Sequence, residues 1–183
     1  MGRLRVPVTQ HDHILGATNA PVTLVEYGDY QCPACAAAYP VVNLVLRHFG
    51  PNLRYVFRHF PLTQVHPDAE PAAESAEFAG AHGRFWEMHD GIYENQDRLG
   101  PPLLFALVRA LGLSEVELRN ALVSEKYAAK IRKDFLGGVR SGVNRTPSFF
   151  INEHQHEGIR AFDDLTSVIE LELPATMRFV TIP

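Results

Sequence analysis

Two spacings of apolar residues organise this chain. Val22-Thr23-Leu24-Val25-Glu26-Tyr27 is β-branched and apolar with little interruption, the pattern of a buried strand. Gly28-Asp29-Tyr30-Gln31 reads as a short turn. From Pro33 the spacing changes to three and four, through Ala36, Tyr39, Val42 or Asn43, Leu46 and Phe49, which predicts a helix ending at Gly50-Pro51. Leu53 to Phe60 reads as a second strand, stopped by Pro61. From Asp68 to about Gly142 strand signal is absent. Helical groupings replace it: Ala72 to Ala79, then Phe85 to Tyr93, then Leu103 to Leu111. Ser114 and Glu117 form a capping box for a short helix through Leu118 and Leu122. Tyr127, Ile131, Phe135 and Val139 trace a last helical stripe. Strand pattern returns at Ser148-Phe149-Phe150-Ile151. A turn over Asn152–Gln155, a weak strand over His156–Ile159 and a helix capped by Asp163 and running through Leu165, Val168, Ile169 and Leu171 complete the prediction. The tail with Phe179, Val180 and Ile182 carries no clear pattern. The order is strand–helix–strand, helical block, strand–strand–helix, an α/β class with a helical insertion.

Composition narrows the field. With 183 residues, 46% hydrophobic and 21% charged, the chain has the make-up of one globular unit able to bury a full core. A net charge of −4 argues against non-specific nucleic-acid binding, which needs a basic footprint. The apolar run Leu103–Val108 has six residues, far short of the roughly 18 that begin to suggest a membrane span. Met1 to Val8 lacks the apolar region of a signal peptide, so the expected location is cytoplasmic.

The chemistry lies in two cysteines, arranged Cys32-Pro33-Ala34-Cys35. A bridge across so small a loop adds little by chain entropy, which leaves a redox dithiol, half of a zinc site or incidental thiols. The flanks favour the redox reading. Cys32 falls where a strand turns into a helix, and Pro33 suits the first helical position. The free N–H groups of that turn and the helix dipole stabilise a thiolate on Cys32, while Cys35, one turn inside, is shielded. Zinc needs partners from elsewhere, and the pairs His11/His13 and His154/His156 have the wrong spacing. Neither a metal nor a cofactor is expected.

The chain from Ala20 to Cys35 is very similar to DsbA-like bacterial thioredoxin-fold oxidoreductases. So are Phe57-Arg58-His59-Phe60-Pro61-Leu62, Phe85-Trp86-Glu87-Met88-His89 and Gly142 to Asn152, the last containing Thr146-Pro147. The resemblance runs from about His11 to Leu171. Such domains also occur fused to sodium/proton antiporters. It implies a thioredoxin fold in which residues 1–61 and 143–183 form the core, with a helical domain, 62–142, inserted between the βαβ and ββα halves. It further implies Cys32 as nucleophile, Cys35 as resolving thiol and Glu26 as the buried acid beneath it. Thr146-Pro147 would be a cis bond facing the cysteines, with the Thr146 backbone presented to a substrate strand. Pro33 and Ala34 would tune the redox potential, although Ala34 contributes neither ring nor charge. Arg58 falls near a position where relatives can carry lysine.

The implied activity is thiol–disulfide exchange with protein thiols and disulfides, sustained by a thiol or disulfide electron partner. Two rivals use the same residues: a redox-sensing or transporter-regulating binding module, and a glutathione-dependent isomerase or transferase. Phe85, Trp86 and Met88 are read as core, as is His89 at its boundary. His59 and His66 are read as surface or loop histidines, and Lys130–Lys133 as a solvated face.

Overall fold

The computed structural model describes residues 2–158 and 161–177. Its single mixed sheet has the order β1 (His13–Leu15), β3 (Leu53–His59), β2 (Val22–Gly28), β4 (Ser148–Ile151), β5 (His154–His156). Every residue of β2 is buried, as its unbroken apolar run requires of a central strand. β2 and β3 are parallel, from Val22 opposite Leu53 to Gly28 opposite His59. Helix α1 (Pro33–Phe49) therefore makes the crossover between them, and Gly50 ends it with φ +49°, a left-handed conformation that glycine adopts without strain. The remaining pairings are antiparallel: β1 with β3, β4 with β2, and β5 with β4.

Five helices lie between β3 and β4: α2 (Ala69–Ala81), α3 (Phe85–Glu94), α4 (Pro101–Ala110), α5 (Glu115–Val123) and α6 (Ala128–Arg140). α7 (Phe162–Glu172) follows β5. Ser114 Oγ accepts the Glu117 amide at 3.3 Å, the cap that its sequence signature predicts. Strand alternation divides the interior in two. Val22, Leu24, Tyr55 and Phe57 face a large core built with α1, α7 and the helical block, which includes Cys32 and Cys35. Val25, Tyr27, Val56 and Phe150 face a smaller core closed by Leu4, Val8 and Phe135. α6 reaches that face through Gly138, where a β-carbon would lie 2.7 Å from the Phe60 ring.

Four local expectations change. β1 was not anticipated: three residues are too few for a period, and pairing with β3 creates it. The β4–β5 turn is tighter than expected, because Asn152 takes a positive φ of 53° and the partner strand starts at His154. α7 begins at Phe162 with Ala161 as its cap residue, so Asp163 lies within the first turn, where its charge meets the helix dipole. Lys130 does not belong to a solvated face: it is half-buried and pairs with Asp134 at 2.5 Å. Ile159 and the Phe179–Ile182 tail lie outside the described residues.

Candidate active site

The β2–α1 junction positions the first sulfur. Cys32 is the extended residue preceding α1, Pro33 occupies the first helical position, and the Cys35 and Ala36 amides close the turn onto the Cys32 carbonyl at 3.0 and 3.2 Å. Both cysteines are free thiols; Cys35 is fully buried and Cys32 retains 7% exposure. Four contacts bear on Cys32. A hydrogen bond from the Cys35 thiol is the largest influence on its ionisation; burial opposes it, and Thr146 and the amides of Cys35 and Ala34 add to it. The outcome lowers the Cys32 pKa to about 5. The amides that act on Cys32 belong to Ala34 and Cys35; Pro33 has no N–H and contributes its place at the first helical position.

Cys35 moves the opposite way. Burial pushes its pKa well up, and its hydrogen bond to Cys32 and the charge of Glu26 push further. Glu26 lies on the same face of β2 as Val22 and Leu24, 3% exposed, and accepts a hydrogen bond from Tyr55 Oη at 2.7 Å. Two thiols of one chemistry are thereby separated into an ionised outer sulfur and a protonated inner one.

Across from them the Thr146–Pro147 peptide is cis, and the Cys32 thiol donates to the Thr146 carbonyl at 3.5 Å. The Thr146 hydroxyl is buried without a protein hydrogen-bond partner, which leaves it ready to serve the sulfur once Cys32 ionises. The resemblance draws attention to the Thr146 backbone; the structure adds its side chain.

The turn bearing Cys32 is clamped by residues that sequence reasoning missed. Asp29, 1% exposed, accepts the Gln31 amide with one oxygen and the Leu62 amide and His66 Nδ1 with the other, each at 2.8 Å. Gln96 Nε2, beyond α3, donates to the carbonyls of Tyr30 (2.7 Å) and Cys32 (3.0 Å). Asp29 had a legible signal, an aspartate beginning a turn. Gln96 had none, because its partners lie more than 60 residues away.

Other candidates are placed elsewhere. Arg58 is on the opposite face of β3, where it grips Asp12 at 2.8 and 3.1 Å and donates to the Val6 and Pro7 carbonyls. It holds the N-terminal segment and does not approach the cysteines. His59 is buried at 1% exposure and hydrogen-bonded to Glu77 at 2.9 Å, and His66 is half-buried against Asp29, so neither is a free surface histidine. The same alternation explains both results: residues 55, 57 and 59 face the large core, and residue 58 faces away. His89 is core, 3.0 Å from Tyr30 Oη, with its pKa lowered by burial to about 3.

A βαβ–ββα sheet, a cysteine pair opening α1, a facing cis proline and five intervening helices define a DsbA-like thioredoxin fold. A thioredoxin family model matches residues 8–171, and the chain belongs to that family. Among solved structures it is similar to oxidised BdbD from Bacillus subtilis (TM-score 0.81, 24% identity, covering 88% of this chain and 92% of that one). It is also similar to alpha-DsbA1 from Wolbachia pipientis (TM-score 0.80, 21% identity, 92% and 93% covered). Sequence similarity is stronger to proteins named as Na(+)/H(+) antiporters. NhaA 1 of Salinispora arenicola is 44% identical and NhaA 3 of Salinispora tropica 41%, each over 91% of this chain. The chain spans only 26% of their length. Among the described residues no helix is long and apolar enough to cross a membrane.

Proposed function

We propose that the protein is a thiol–disulfide oxidoreductase acting on protein substrates through Cys32 and Cys35. The observation that carries this reading is the geometry of the pair: Cys32 at the start of α1 with Cys35 fully buried one turn inside, facing the cis Thr146–Pro147 bond, surroundings that lower the Cys32 pKa to about 5 and push that of Cys35 well up. At neutral pH the outer sulfur is the nucleophile that exchange requires, and the inner one waits.

In the reducing direction, the Cys32 thiolate attacks one sulfur of a substrate disulfide. A mixed disulfide forms, and the first substrate sulfur leaves as a thiolate. Cys35 then gives its proton toward Glu26 and attacks Cys32 Sγ. The second substrate thiolate departs, and the Cys32–Cys35 disulfide remains. Two electrons have passed from the cysteine pair to the substrate, and a thiol partner must return them. Run backwards, the same steps oxidise a substrate dithiol, with a disulfide partner as electron acceptor. Neither the Cys32 thiolate nor its mixed disulfide has a proton to give the Thr146 carbonyl, which leaves that group open to an extended substrate backbone beside Pro147.

The strong likeness to one quarter of proteins named as antiporters favours a second reading, in which the pair is a redox switch governing a transporter. Turnover separates the two. A catalyst reduces insulin over many cycles with dithiothreitol, loses all activity in Cys32→Ser and accumulates mixed disulfides in Cys35→Ser. A switch equilibrates once and stops. Glutathione-dependent activity that survives Cys35→Ser would instead identify the transferase.

A further inference from the structure

A second cluster lies on the large-core face of the sheet, next to the turn that carries Cys32 and apart from the exchange chemistry. His13 of β1 stands opposite Phe57, two positions from His59 on the same face of β3, and α2 lays Glu77 over both. His13 Nε2 is 2.8 Å and His59 Nε2 2.9 Å from the same carboxylate oxygen, Glu77 Oε1. The three donor atoms all lie within 4.8 Å of one another. Their side chains are 18%, 1% and 9% exposed, so the cluster is buried with its opening on the His13 side. Its rings are fixed: His13 stacks on Phe85 at 3.4 Å between centroids, and His59 meets the edge of the same ring at 6.0 Å.

We propose that His13 Nε2, His59 Nε2 and Glu77 Oε1 bind one divalent first-row transition-metal ion of the zinc class. Two imidazoles and a carboxylate are a borderline donor set, which suits Zn²⁺ and disfavours the all-oxygen preference of Mg²⁺ and Ca²⁺. Zinc–ligand bonds of about 2.0–2.2 Å in a tetrahedral site put donors about 3.3 Å apart, so Oε1 withdraws by about half an ångström and the imidazoles close around the ion. Each neutral imidazole carries its proton on Nδ1 when Nε2 binds metal, and His59 Nδ1 has no partner in the present arrangement that such a shift would break. Lys130 Nζ, 3.7 Å from Oε1, is the competing cation. Its side chain is 23% exposed and already bonded to Asp134, and it retreats to that partner when the ion enters. Bound metal ties β1, β3 and α2 together, joining the sheet to the helical block.

The test uses the full chain with both cysteines changed to serine, so that thiols take up no metal. Zinc is titrated against a chromophoric chelator, and cobalt is added separately to read ligand geometry from its visible bands. The proposal expects one equivalent of zinc, tetrahedral cobalt bands without thiolate charge transfer, and an upward shift of the melting temperature with zinc. His13→Gln and Glu77→Gln should each weaken uptake by about 100-fold or more. Lys130→Met should bind at least as tightly as the parent. No stoichiometric uptake, or uptake unchanged by His13→Gln, overturns it. If Glu77→Gln does not fold, His13→Gln at the sheet edge and the cobalt spectrum carry the decision.

Discussion

Cys32 is a thiol whose surroundings were built for its anion. The Cys35 thiol, the Thr146 side chain and two amides all offer it hydrogens, and they overcome the burial that opposes charge. Alkylation of the reduced protein by iodoacetamide should therefore rise with pH around a midpoint of about 5, where an ordinary cysteine would give about 8.5. Thr146→Val, nearly the same shape without the hydroxyl, should move that midpoint upward; an unmoved midpoint would leave the sulfur to the backbone and Cys35 alone. The sign for stability follows. A thiol whose folded pKa is depressed favours the folded reduced state most at high pH, and that advantage disappears as pH falls through about 5. Urea unfolding of the reduced protein, measured relative to Cys32→Ser, should show stability rising between about pH 5 and 8.5. Beneath Cys35, Tyr55 is a positioning residue acting through Glu26. Tyr55→Phe should leave mixed-disulfide formation by Cys32 unchanged while altering the pH profile of its resolution, and Glu26→Gln should slow resolution itself. A change in the first step instead of the second would contradict this division of labour.

Between elements, the insertion and the sheet meet at the redox turn. Gln96 is the joint: losing its two hydrogen bonds leaves the carbonyls of Tyr30 and Cys32 without that donor, and Gln96→Ala should cost about 1–3 kcal/mol by chemical denaturation. On the far face Arg58 serves a different purpose. Arg58→Ala strands Asp12, whose side chain is 8% exposed, and should cost about 3–5 kcal/mol while leaving the alkylation midpoint of Cys32 in place. These elements differ in how legible they were. The strand, turn and helix around Cys32 could be read because local spacing specifies them: a continuous apolar run, a turn, then a proline at the first position of a period-3.6 stripe. The insertion could be read as helical from its stripes and its capping box. β1 could not, since a three-residue strand exists only through its neighbour. His59 and Lys130 were misplaced for a related reason. Charge alone suggests solvent, whereas strand register and a helix packed overhead turned each toward a buried partner. The cysteines, Glu26 and Thr146-Pro147 were legible through position and family pattern, and Asp29 through its place at the start of a turn; Tyr55 and Gln96 depend on contacts that no short segment contains.

At the scale of the molecule, the fold brings one cysteine to a helix start, hides its partner and an acid beneath it, and places a cis proline opposite. The chain is strongly similar to a quarter of proteins named as antiporters, and the account of its chemistry stands whether that domain acts alone or within a longer protein. Its central claim is that Cys32 and Cys35 form a reversible two-electron couple with one thiol already ionised at neutral pH. The direct measurement is the reduction potential of the pair in glutathione or dithiothreitol buffers from pH 4 to 8.5, with thiol trapping. With both thiols protonated, the potential falls by about 59 mV per pH unit; with one ionised, by about 30 mV. The account predicts a break near pH 5 and the shallower slope through neutrality. The steeper slope up to pH 8 would contradict the thiolate, and the absence of any reversible couple would contradict the function itself.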